Sequence, residues 1–171
     1  MAFEMKGGAM YIQQSALFWE MDRDFVKDFM GIAVRETYQP GDFLFREGDP
    51  ADHFYILIKG RVKLTVGETG PVVYTVDHAG EAFGWSSLIG REIYSASGEC
   101  FEPTVLDNFH REQFQKVIEK YPGQGLIFYK RLAGLIGNRL LWSYKMITST
   151  AKSDTSPSFG SGQIQDSEAA A

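Results

Sequence analysis

The sequence is short of cysteine, histidine, basic charge and long apolar runs, and each shortage removes a class of function. One cysteine, Cys100, leaves no intrachain disulfide and no four-cysteine iron–sulfur cluster. Three histidines, His53, His78 and His110, stand singly and far apart, without the H-x-H spacing of a cupin-type metal centre. No nucleophile stands beside a base in a recognisable catalytic motif, so no enzyme and no metal site is expected. Lysine and arginine number 17 against 22 acidic residues, a net charge of −5. That balance is a poor match to nucleic-acid phosphates, which call for a basic surface. No stretch of about 18 apolar residues offers a membrane span, and no signal peptide is visible, so a cytoplasmic protein without a membrane partner is expected.

What is present suits one folded domain. The chain has 171 residues and 44% hydrophobic content, ample for a core. Residues 1–14 carry Gly7 and Gly8 with no strong period and read as a flexible lead-in. From Ser15 the period becomes helical. Leu17, Phe18, Met21, Phe25, Val26, Phe29 and Met30 share one face, with Asp22 placed to cap a second short helix.

The period then shortens to two. Turn signals at Pro40-Gly41, at Glu47 to Pro50, at Lys59-Gly60 and at Gly67 to Pro71 separate short apolar strands. Phe54–Ile58, Val62–Val66, Val72–Val76, Tyr94–Cys100 and Thr104–Asn108 are the predicted strands. The expected class is mainly β with flanking α, a jelly-roll-type barrel.

After the barrel, Phe114, Val117, Ile118 and Tyr121 predict a short amphipathic helix, stopped by Pro122-Gly123. A long helix over 124–147 carries two stripes. Phe128, Leu132, Leu135, Arg139, Trp142 and Met146 make one, and Leu126, Tyr129, Ala133, Ile136 and Leu140 the other. One stripe can pack on the barrel while the other meets a second copy, predicting a homodimer. The alternative is a single helix packed on its own barrel. The domain is thus expected over 15–147. Residues 148–171 are polar, small and aperiodic, the composition of a disordered tail.

The densest run of glycine, serine and aromatic residues outside that tail is Gly80 to Ser97, G-E-A-F-G-W-S-S-L-I-G-R-E-I-Y-S-A-S. Backbone amides at the start of a short helix there suit an anion or a polar small molecule. The plainer reading is a loop that crosses from one sheet to the other.

Pro40 to Val62, P-G-D-F-L-F-R-E-G-D-P-A-D-H-F-Y-I-L-I-K-G-R-V, resembles the cyclic-nucleotide-binding domain family, which includes catabolite activator protein-like regulators. The likeness continues through Gly80-Glu81-x-Phe83-Gly84 and spans roughly Ser15 to Ile147. The resemblance implies that Gly84 to Ser97 is a phosphate-binding cassette. In members that bind cyclic AMP the cassette reads about F-G-E-x-[AS]-L with R-[AST]-A-[ST] downstream. There the Glu takes the ribose 2′-hydroxyl and the Arg grips the cyclic phosphate. Here Trp85 stands at the Glu position and Tyr94 at the Arg position.

Indole donates and cannot accept, and a phenol offers one neutral donor where guanidinium offers a charged fork. Losing two charge-assisted contacts weakens binding by about a hundredfold to ten-thousandfold. Gly84, Trp85, Ser86, Ser87, Arg91, Tyr94 and Ser95 are the candidate ligand-binding residues. A cyclic nucleotide or another small anionic or aromatic effector is the candidate ligand. In one reading Trp85 and Tyr94 form an aromatic wall for that effector; in the other they fill the old pocket and the domain binds nothing small. The resemblance also makes the long helix a dimerisation helix, with Phe128, Leu132, Leu135, Arg139 and Trp142 on its contact stripe. No helix-turn-helix pattern follows it, so DNA binding by this chain alone is not expected.

Overall fold

The computed structural model describes residues 15–67, 70, 72–150, 159–160 and 163–164. The lead-in predicted for 1–14 lies outside the described residues. Two four-stranded antiparallel sheets carry the fold. The first has β1 (Val34–Tyr38), β8 (Thr104–His110), β3 (His53–Lys59) and β6 (Ala82–Phe83) in that order. The second has β2 (Phe43–Phe45), β7 (Ser97–Cys100), β4 (Val62–Thr65) and β5 (Val72–Val76). Helices α1 (Arg23–Gly31), α2 (Arg111–Lys120) and α3 (Pro122–Thr150) flank them in sequence. The jelly-roll-type reading holds, because consecutive strands repeatedly change sheets.

The chain divides into two compact units, Met1–Arg131 and Leu132–Ala171, with the border inside α3. In the first unit, β3 explains why its run of sequence is apolar without alternation. Tyr55 and Leu57 belong to the cluster between the sheets, with Phe45, Ala51, Val62, Leu64, Val76, Phe83, Tyr94, Cys100 and Leu106. Phe54 points the other way, into a second core built on the helices. A strand buried on both faces has no polar side to show.

Phe29 of α1 is the hub of that second core. Its ring centroid lies 4.4 Å from that of Phe109, 4.5 Å from Phe18, 5.8 Å from Phe114 and 6.2 Å from Phe54. Phe114 in turn meets Phe128 of α3 at 4.8 Å. The predicted apolar stripe of residues 17–29 therefore faces the core, with Leu17, Phe18, Phe25 and Phe29 all but inaccessible.

Asp22 caps α1 as expected, its carboxylate accepting from the amides of Asp24 (2.9 Å) and Phe25 (3.1 Å). The residues before it differ from expectation. Ser15 to Glu20 form turns rather than a helix, because Glu20 takes a positive φ of 53° and breaks the helical path. Arg131 secures this segment by donating to the carbonyls of Leu17 (3.2 Å) and Trp19.

One turn glycine is fixed by crowding as well as by conformation. Gly60 has φ of +103°, and a Cβ there would stand 2.6 Å from the Pro103 carbonyl oxygen and the Thr104 Cα. A bidentate ion pair ties the outer side of the first sheet. Arg35 Nε and Nη2 donate to the two carboxylate oxygens of Asp107 at 3.0 and 3.1 Å, and Asp107 is buried.

The predicted strand over 94–100 begins only at Ser97, since Tyr94 turns its chain toward Asp49 instead of along the sheet. α3 is longer than 124–147. Pro122 opens it at a first-turn position that needs no amide donor, and it runs to Thr150. Most of the predicted disordered tail lies outside the described residues. Those that are described depart from it: 148–150 continue α3, and β9 (Phe159–Gly160) pairs with β10 (Gln163–Ile164).

In the second unit, α3 exposes Leu140, Leu141, Trp142, Tyr144, Met146 and Ile147. Of the other residues on its expected contact stripe, Leu135 and Arg139 are half-buried and Leu132 is buried. Phe128, the stripe's first member, belongs to the first unit and is buried in its core. Ser143 and Thr148 return their hydroxyls to the carbonyls of Arg139 and Tyr144 one turn earlier, both at 3.0 Å.

Candidate functional site

The cassette leaves the first sheet at Phe83 and joins the second at Ser97, so it does cross between sheets. Gly84 starts it in the left-handed region, with φ of 72°. A Cβ at Gly84 would stand 3.0 Å from the Tyr55 ring, so the position is closed to larger residues on two counts. Trp85 to Leu88 follow as a single 3₁₀ turn. Four residues carry too few aligned peptides for the anion-binding helix start that the sequence suggested.

The candidate residues separate into two groups. Ser86 and Ser87 are buried and Trp85 and Gly84 half-buried, while Arg91 and Ser95 are exposed. Ser87 Oγ donates back to the Gly84 carbonyl at 3.2 Å, a bond that closes the turn on itself. Arg91 contributes its amide to the Ser86 carbonyl at 3.2 Å.

Tyr94 is the residue that decides the character of the interior. It is 3% exposed and stacks on Phe45 with ring centroids 4.1 Å apart. Its hydroxyl donates to the His53 carbonyl at 2.6 Å and accepts from the His53 amide at 3.2 Å. The phenol thus both donates to and accepts from the His53 backbone. Phe45 continues the column to Tyr55 (5.7 Å), and Tyr55 to Phe83 (5.4 Å). Gly98 leaves this column its room, since a Cβ there would meet the Phe45 ring at 2.8 Å. Burial pushes the phenol of Tyr55 well up and that of Tyr94 up, so both stay neutral.

Beside the aromatic column lies a polar group that the sequence reading did not single out. Glu36 faces Leu106 across the β1–β8 pair, and Tyr55 faces Asn108 across β3–β8, so Glu36 and Asn108 share the interior side. Tyr38 Oη donates to Glu36 Oε2 at 2.8 Å, and Asn108 Nδ2 to the same oxygen at 3.2 Å. Asn108 Oδ1 is buried with no hydrogen-bond partner among the described residues. A period-two reading begun at Val34 would have placed Glu36 and Tyr38 on one face. The turn signal at Pro40 obscured it.

The fold brings two of the histidines together. His53 and His110 are far apart in sequence but sit opposite each other on β3 and β8, their rings edge-to-face at 4.9 Å. His110 also caps α2, Nδ1 accepting from the Glu112 amide at 3.2 Å. Burial first, and then the neighbouring His110, hold His53 below the ordinary imidazole range. The folded state therefore binds fewer protons at His53 than the unfolded chain. Its contribution is intact above about pH 6.5 and is lost as pH falls below it. Thermal melts from pH 8 to pH 5 are expected to show that loss, with a shallower fall in His53→Gln; equal slopes for both proteins would count against it.

The model of the cyclic nucleotide-binding domain matches residues 35–121, just over half of the chain. The chain belongs to the cyclic nucleotide-binding domain family. The match begins at β1 and ends at the foot of α2, so it covers both sheets and the cassette. Among curated proteins, the chain is 28% identical over 112 residues to the cGMP-dependent protein kinase egl-4 of Caenorhabditis elegans. That stretch is 63% of this chain and 14% of the kinase. The chain thus spans only a small part of that relative.

Among solved structures, a cyclic nucleotide-binding domain from Methylobacillus flagellatus superposes with a TM-score of 0.73 at 22% identity, covering 85% of this chain and 83% of that one. The Thermus thermophilus catabolite activator protein gives 0.65 at 25% identity, over 80% and 63% respectively. Two independent superpositions thus agree on the jelly-roll-type fold. Among the described residues, no helix is long and apolar enough to cross a membrane.

Proposed function

We propose that this member of the family is a regulatory, non-enzymatic domain whose interior is closed by its own aromatic side chains instead of by a cyclic nucleotide. The burial of Tyr94 carries this reading. A cyclic phosphate needs a charged donor inside the cassette, and the side chain there is a neutral phenol committed to the His53 backbone. Trp85, where a ribose-binding carboxylate would stand, has no acceptor to offer.

With the pocket closed, the regulatory output passes to α3 and to a second copy of the chain. Leu140, Leu141, Trp142, Tyr144, Met146 and Ile147 leave one long helix with exposed apolar side chains, a surface suited to pairing as a cytoplasmic homodimer. The net charge of −5 argues against nucleic acid as the partner.

One observation favours a second reading, in which a different small effector enters. Glu36, Tyr38 and Asn108 place a carboxylate and an unfilled amide oxygen on the interior side. Acceptors of that kind suit a ligand rich in hydrogen-bond donors, opposite in polarity to a phosphate.

Calorimetric titration with cyclic AMP and cyclic GMP tests the proposal, the latter prompted by the kinase relative. The expected result is no binding heat up to millimolar nucleotide. Micromolar binding of either would overturn it, and Arg91→Ala would then show whether the exposed arginine supplies the missing charge.

A further inference from the structure

Outside the cassette, the turn between β5 and β6 gathers three side chains that can ligate a metal. His78 Nδ1 lies 2.6 Å from Asp77 Oδ1 and 4.0 Å from Glu81 Oε2. One donor atom from each residue falls within 4.8 Å of the other two. All three come from a five-residue stretch, so the chain delivers them together without long-range assembly.

The turn itself is held by backbone bonds. The Gly80 amide donates to the Leu57 carbonyl at 2.7 Å, the Leu57 amide to the Glu81 carbonyl at 2.9 Å, and the Glu81 amide to the His78 carbonyl at 3.1 Å. Tyr74 of β5 donates its hydroxyl to Glu81 Oε1, which fixes the carboxylate with its other oxygen on the His78 side. A hydrogen bond to the far oxygen is how metal-ligating carboxylates are commonly oriented.

We propose that Asp77, His78 and Glu81 form a binding site for a divalent transition-metal ion of the zinc class. One imidazole nitrogen and two carboxylate oxygens make a borderline donor set, preferred by zinc, cobalt and nickel over magnesium or calcium, which take oxygen alone. At metal–ligand distances of about 2.0–2.2 Å, tetrahedral donors stand roughly 3.3–3.6 Å apart. Reaching that spacing opens the 2.6 Å contact and closes the 4.0 Å one. His78 has the freedom to do both, since its side chain is 85% exposed. Water completes the coordination.

The consequence lies in where the turn leads. β5 belongs to the second sheet and β6 to the first, and β6 runs directly into Gly84. An ion held by Asp77 and His78 on one side and Glu81 on the other staples the crossover at the entrance to the cassette. The role is structural and calls for no catalysis.

The test is calorimetric titration of the tag-free full chain with zinc chloride at pH 7, with magnesium chloride in parallel. One zinc ion per chain is expected to bind saturably, with magnesium giving no saturable heat. His78→Ala and Glu81→Gln should each weaken zinc binding at least about tenfold, and Tyr74→Phe by a smaller factor. His53→Gln, which removes a ring from the His53–His110 pair, should leave it unchanged. Ring 15N signals of His78 should shift on zinc addition in the wild type. The proposal is overturned by the absence of one-equivalent uptake at millimolar zinc. It is overturned equally by an unchanged affinity in His78→Ala, by a loss in His53→Gln, or by magnesium binding as tightly as zinc.

Discussion

Phe29→Ala is expected to destabilise the domain by about 3–5 kcal/mol, the range for removing a fully buried phenylalanine. Phe29 is inaccessible to solvent, and its ring meets those of Phe18, Phe54, Phe109 and Phe114. Those partners come from the N-terminal turns, from both long strands of the first sheet and from α2. No single neighbour can move in to fill the space without leaving another. Collapse is therefore limited, and the cost should fall at the upper end. In a thermal melt the change corresponds to a fall of roughly 10–20 °C. Phe29→Leu keeps most of the volume and should cost less than half as much. A loss under about 1 kcal/mol for the alanine variant would show that the aromatic cluster is not the helical core described above.

The second large effect concerns recognition. The double substitution Trp85→Glu with Tyr94→Arg installs a carboxylate and a guanidinium at the two positions where the proposed function holds them to be missing. It is expected to improve cyclic AMP binding by about a hundredfold to ten-thousandfold over the wild type. The wild-type phenol is satisfied by the His53 backbone and stacked on Phe45. An arginine put in its place has neither contact and needs an anion. The double variant should consequently melt below the wild type when free and recover when nucleotide is added, because ligand stabilises only the folded form. Calorimetry and melting curves with and without cyclic AMP measure both. A variant that folds yet shows no gain in affinity would mean that more than these two side chains closes the interior.

How far the sequence disclosed this molecule depends on the range of the interactions involved. Strand β5 was legible to the residue because Val72–Val76 is bounded by turn formers on both sides. The Asp22 cap was legible because a capping carboxylate acts two or three residues away. The start of β7 was misplaced, since what bends the chain at Tyr94 is its bonding with Gly48 and Asp49, 46 and 45 residues earlier. The same holds in the site. Trp85 and Tyr94 could be singled out from a motif. That Tyr94 turns inward and spends its hydroxyl on His53 was not legible, because the partner lies 41 residues away. Asn108 escaped for that reason too, meeting Glu36 only through strand register.

Strand β3 has a mechanical meaning. Tyr55 and Leu57 line the barrel interior while Phe54 packs among the rings that hold α1 and α2. Residues facing opposite ways are joined by a single peptide unit about 3.8 Å long. The strand is thus a party wall, one thickness of backbone with furniture fixed to both sides. Rearranging the room on one side shifts the fittings on the other, and no softer layer stands between them to absorb the movement.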